Sequence, residues 1–123
     1  MKPGAMAAAL ASLVLAACES VYSAPSGGPL AHVSVSKAKL LESQQAKLLY
    51  LGADRSRRDG FGESIFYEYD KRWPVAAGER TVFELERLTY QGNTELYCST
   101  FYSFTPQPGR AYLFTPDSAS SAC

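Results

Sequence analysis

The sequence predicts a mainly β protein, a small antiparallel β-sandwich that follows an N-terminal signal helix and a flexible tether. Three observations carry this reading. Short apolar segments recur between glycine- and proline-bearing turns, the spacing of a sandwich. Side chains alternate between Arg80 and Tyr90 (RTVFELERLTY), with Thr81, Phe83 and Leu85 on one face and Val82, Glu84 and Glu86 on the other. Thr105-Pro106-Gln107-Pro108-Gly109 separates two aromatic segments, and proline and glycine suit a loop that no sheet ladder crosses.

The elements follow in chain order. Leu30–Val35 (LAHVSV) alternates, with Val33 and Val35 on one face, and is expected as the first strand. Residues 37–46 (KAKLLESQQA) form the one stretch with helical propensity, and helix and strand both stay open there. Lys47–Leu51 reads as a buried strand ending at Gly52, and residues 54–62 (DRSRRDGFG) as a polar loop. Ser64–Tyr69 (SIFYEY) is expected as an aromatic strand, and Trp73–Glu79 as a turn into the Arg80–Tyr90 strand. After a turn at Gln91-Gly92-Asn93, Leu96–Phe104 is expected to form a hairpin with Arg110–Phe114. Phe83, Leu85, Phe104 and Tyr112 should then form the core, and Glu84 and Glu86 should face solvent.

With 123 residues the chain has room for one domain, and 46% hydrophobic residues suit a folded one. Twelve basic side chains balance twelve acidic ones, so there is no long-range field toward nucleic acid or anionic lipid. A single histidine, His32, excludes a metal site that needs two, and no metal or other cofactor is expected.

The amino terminus carries the strongest targeting signal. A short basic start precedes an apolar run from Ala5 to Ala17, followed by Cys18. Such a run marks a secretory signal peptide and falls short of the roughly 20 residues of a membrane span. Leu15-Ala16-Ala17-Cys18 resembles the lipobox of bacterial lipoproteins. The resemblance implies a lipid on the Cys18 sulfur, a cut just before it, and attachment to the membrane through that lipid. An ordinary signal-peptide cut after Ala17 would put Leu15 where the A-x-A pattern wants a small residue. Glu19 is a weaker counterpart of the aspartate that retains lipoproteins in the inner membrane, so the periplasm-facing outer membrane is favoured. The expected organisation is signal peptide 1–17, lipid-anchored tether 18–29 (CESVYSAPSGGP) and domain 30–123. Removing residues 1–17 leaves eleven basic against twelve acidic groups.

Export implies an oxidising compartment, so Cys98 and Cys123 are expected to pair, closing a loop of 26 residues. In the chain-entropy account such a loop contributes about 3.5 kcal/mol. A reactive thiol or a metal pair would be the alternatives, and no C-x-x-C motif or nearby histidine supports either.

Residues 74–114 contain V-A-A-G-E-R-T-V-F-E-L and then F-T-P-Q-P-G-R-A-Y-L-F. This pattern is similar to small periplasmic lipoprotein domains with a PEGA-like or prealbumin-like sandwich. The resemblance implies an immunoglobulin-like or prealbumin-like topology, and those modules are generally non-enzymatic, so it brings no catalytic residues.

Three groups are candidates for function. Glu84 and Glu86 share a strand face about 7 Å apart by strand rise, within the range of inverting glycosidase carboxylates; an ordinary solvated face gives the same spacing. Arg55, Arg57 and Arg58 lie in the polar loop and form, with Lys71, Arg72 and Arg80, the main basic concentration. Interleaved aspartates argue against nucleic acid, whereas an acidic envelope protein or a peptidoglycan peptide would fit. Among the aromatics, Phe66-Tyr67 and Phe101-Tyr102 each put one ring on an outer face, which marks Phe66, Tyr67 and Phe101 as a possible binding surface. The sequence therefore favours a non-catalytic, lipid-anchored envelope module, with a glycan hydrolase using Glu84 and Glu86 as the alternative. His32 has no serine or cysteine motif to serve.

Overall fold

The computed structural model describes residues 20–62 and 68–117. The leader, Cys18, Glu19, Phe66, Tyr67 and Cys123 lie outside the described residues, as does most of the strand expected at 64–69. The described part is all strand and turn, with no helix. Its strands are β1 (Ser20–Val21), β2 (Leu30–Val35), β3 (Gln44–Gly52), β4 (Asp59–Gly60), β5 (Trp73–Ala76), β6 (Thr81–Gln91), β7 (Thr94–Phe104) and β8 (Ala111–Phe114). They form a five-stranded sheet in the order β1-β4-β3-β6-β7 and a three-stranded sheet in the order β5-β2-β8. The fold is a small, mainly β, sandwich-like one.

The core lies between the sheets and follows the alternation. Ala31, Val33 and Val35 of β2 and Val75 of β5 face Ala46 and Leu48 of β3 and Phe83 and Leu85 of β6. Phe83 is fully buried and meets the rings of Tyr50, Phe104 and Phe114. Phe104 and Tyr112, expected in the core, are half-buried and pack against it.

Both sheets are mixed, where an antiparallel arrangement was expected. β2 pairs in parallel with β8, and β1 in parallel with β4. The expected hairpin between β7 and β8 is absent, because the intervening loop carries the chain from one sheet to the other. Packing accounts for the crossing. The carbonyl of Pro106 accepts from Gly78 N–H and the carbonyl of Leu30 from Gly109 N–H, which tie the loop to the three-stranded side. The rings of Phe104 and Tyr112 then meet across the sandwich, 4.9 Å apart, instead of along one sheet.

Further differences are local. Residues 37–43 form two turns, closed by Leu40 N–H to Lys37 O and Gln44 N–H to Leu41 O, both 3.0 Å. Ser36 Oγ accepts from Ala38 N–H and Gln44 Oε1 from Leu41 N–H, so side chains compete for the donors a helix needs. Trp73–Ala76 is strand β5 and not a turn; it is an edge strand, where Pro74 withdraws no ladder donor that the sheet uses. The polar loop contains the short strand β4. Part of the stretch read as tether belongs to the fold. Ser20 and Val21 pair with β4, and the buried Tyr22 donates from its hydroxyl to Pro74 O at 2.9 Å.

Candidate functional site

The five-stranded sheet has a second face, away from the core, and most of the sequence-derived candidates within the described residues meet there. Register sets the pattern. Lys47 and Leu49 of β3 lie opposite Glu86 and Glu84 of β6, which lie opposite Ser99 and Phe101 of β7. Leu49, Leu51 and Val82 form a small buried apolar cluster on this side. The loop after β3 folds back over it. Gly52, at φ +77°, turns the chain, and Arg57 N–H then donates to Leu51 O at 3.2 Å. Arg55 takes the left-handed conformation at φ 63°. Asp54 Oδ1 accepts from Ser56 N–H at 3.0 Å, closing the loop locally; bonding to Ser56 holds the Asp54 carboxyl below the usual range.

Glu84 is only 4% exposed, which corrects the expectation that it faces solvent. Glu86 is half-buried. Arg58 bridges the two, Nη1 to Glu84 Oε1 and Nη2 to Glu86 Oε2, the latter at 3.1 Å. Ser99 Oγ donates to Glu84 Oε2 at 2.7 Å, and Lys47 Nζ lies 3.9 Å from Glu86 Oε1. All four carboxylate oxygens therefore carry a partner. The burial has a physical cause, since the loop that delivers Arg58 also excludes water from Glu84, and a buried carboxylate requires such pairing. Lys47 and Ser99 were missed in the sequence. Their only signal is register, which no local pattern shows.

The arginine triplet separates by task. Arg58 serves the carboxylates, Arg57 pairs with Asp59 and lies over the Tyr50 ring at 5.1 Å, and Arg55 stacks on Phe101 at 4.4 Å. Phe101 remains 45% exposed beside this guanidinium, and Tyr97, on the same strand face, is 60% exposed. Tyr97 donates from its hydroxyl to Glu95 at 2.9 Å, and that bond, with the carboxylate charge, raises its pKa. Along the same edge, Tyr102, Phe104, Ala111, Tyr112, Leu113 and Phe114 line an open groove of about 340 Å³.

The arrangement offers exposed aromatic surface with one stacked cation, next to a carboxylate pair already saturated by bonds. Among the described residues no cluster of His, Cys, Asp or Glu could hold a metal. Phe66 and Tyr67, the other half of the expected aromatic surface, lie outside the described residues. Compared with known proteins, the chain matches no family model and no curated protein.

Proposed function

We propose that the chain is a lipid-anchored, non-catalytic module of the bacterial cell envelope that binds an envelope protein or a peptidoglycan peptide on the outer face of its five-stranded sheet. One observation supports this most: Arg55 stacked on a half-exposed Phe101, with the more exposed Tyr97 four residues away on the same strand face. Aromatic rings and arginine are the residue types enriched where binding energy concentrates, and a stacked guanidinium keeps its in-plane donors for a carboxylate. An acidic protein segment or the carboxylates of a peptide stem match that chemistry.

The glycan-hydrolase alternative needs one carboxyl group poised as acid and the other as base. Glu84 and Glu86 spend their oxygens on Arg58, Ser99 and Lys47, which favours the binding reading. Anchoring rests on Leu15-Ala16-Ala17-Cys18. Two or three acyl chains, at about 0.8 kcal/mol per buried methylene, hold such a protein firmly at the membrane, with the outer membrane favoured. Cys18→Ser should leave the chain unprocessed or release it from the membrane fraction; normal fractionation with unchanged mass contradicts lipid attachment. For the binding face, Arg55→Ala and Phe101→Ala should each weaken partner capture from the envelope about ten-fold or more, as hot-spot truncations do, with the melting temperature held.

A further inference from the structure

Strand β7 is 11 residues long and has one neighbour, β6, among the described residues. Its sequence TELYCSTFYSF carries a single charge, Glu95, and no lysine or proline. Its pairing with β6 runs unbroken from Gln91↔Thr94 to Thr81↔Phe104, without a bulge. Edge strands normally carry a charge, a proline, a bulge or a covering segment against pairing with another chain. Among the described residues, Glu95 is the one such protection that this long regular edge carries.

The direction of its backbone groups follows from the ladder. Tyr90 N–H donates to Ser43 O, toward β3. Alternation in an antiparallel sheet then turns Thr89 toward β7, where it pairs with Leu96. Leu96, Cys98, Thr100 and Tyr102 consequently use their backbone groups on β6, while Glu95, Tyr97, Ser99, Phe101 and Ser103 present theirs outward.

The side chains are close to palindromic about Ser99, reading Leu96-Tyr97-Cys98-Ser99-Thr100-Phe101-Tyr102. We propose that two copies of this chain pair β7 against β7, antiparallel, about a two-fold axis through Ser99. In that register Tyr97 lies opposite Phe101 of the second copy on the outer face, and Leu96 opposite Tyr102 on the inner face. Each pair occurs twice. All four are exposed, Leu96 by 46% and Tyr102 by 40%. Sliding the axis by one residue instead sets Tyr97 opposite Ser99 or Ser103, and no aromatic pair survives. The outward backbone groups match, because every hydrogen-bonded pair joins two odd-numbered residues. The two Glu95 carboxylates stand roughly 27 Å apart, eight strand residues, and do not repel.

The area sets the strength. Exposed ring area of roughly 300–400 Å² per copy, with the backbone edge, gives a total near the low end of specific interfaces, about 1,000–1,200 Å². An interface at the low end of the size range fits a pairing that forms and dissociates rather than a permanent dimer. It extends the outer aromatic face across both copies, and it forms from the chain alone without the envelope partner.

The test uses the full-length chain, purified, with a short bis-maleimide. A chain carrying Glu95→Cys is mixed with a differently tagged chain carrying Ser103→Cys, and linkage is read above that of the parent with its native cysteines. The mixed pair should crosslink at least ten-fold more than either variant with itself, because position 95 faces position 103 across the axis. Tyr97→Lys in both chains should cut that yield about ten-fold, with Phe101→Lys as the second variant should the first fail to fold. Absence of the 95–103 product, equal self-linkage of each variant, or a yield indifferent to both lysines overturns the proposal.

Discussion

At the residue scale, Tyr22 shows how a side chain outside the expected domain is held by it. Its ring packs on Tyr50 and Phe61 at 5.0 and 4.6 Å, and its hydroxyl donates to Pro74 O. Burial, reinforced by Tyr50 and Asp59, pushes its pKa up to about 12, against a smaller lowering by Arg57. The folded state thus holds the proton more tightly than the unfolded chain, whose tyrosine titrates near ~10. The resulting stability is complete below about pH 10 and is lost as pH rises from there through about 12, by at most ~1.4 kcal/mol per pH unit. Thermal unfolding at pH 9 and pH 11 should show this fall, and Tyr22→Phe should flatten it while costing about 1 kcal/mol at neutral pH. An identical slope in Tyr22→Phe would detach residues 20–22 from the domain. Glu84 and Glu86 divide in the same way. Glu84→Ala should destabilise by about 1–3 kcal/mol, since it strips a buried carboxylate from Arg58 and Ser99. Glu86→Ala should cost less, about 0.5–1.5 kcal/mol, since its side chain keeps 15% exposure and its loss leaves Arg58 paired with Glu84. Denaturant titration distinguishes the two, and equal costs would contradict the burial of Glu84.

At the element scale, what was legible in the sequence is what a strand writes locally. Leu30–Val35 and Thr81–Gln91 stand where alternation predicts them, because a face packed on a core leaves a period of two. Partner choice leaves no such trace. That β8 pairs with β2 and not with β7 goes with the bonds of Pro106 and Gly109 and with the rings of Phe104 and Tyr112, which meet only after folding. Glu84 looked solvated for the same reason, since its cover is a loop some 26 positions earlier that delivers Arg58. The carboxyl end gives a prediction at this scale. Arg87 binds the carbonyl of Asp117, and Arg87 lies opposite Cys98 in the ladder. Six residues lead from Asp117 to Cys123, and a segment of that length can span up to about 20 Å, enough for the expected link to Cys98. Peptide mass mapping without reduction should find the 98–123 link, and its removal should cost roughly 2–4 kcal/mol. Free thiols at both positions in protein taken from the periplasm would contradict it.

At the scale of the whole molecule, the two faces of one sheet do different work. The inner face, with Phe83, Leu85, Leu48 and Ala46, makes the core. The outer face carries a neutralised carboxylate pair at its centre and exposed rings toward the β7 edge. Such a layout spends charge on holding a loop and leaves aromatic surface for contact. The most direct measurement of the binding account is photocrosslinking in the intact envelope from a photoreactive phenylalanine analogue placed at Phe101. The account predicts a discrete adduct with a second envelope component, protein or peptidoglycan peptide, that Arg55→Ala abolishes without lowering the melting temperature. No adduct beyond the chain itself, or an adduct indifferent to Arg55, would contradict it.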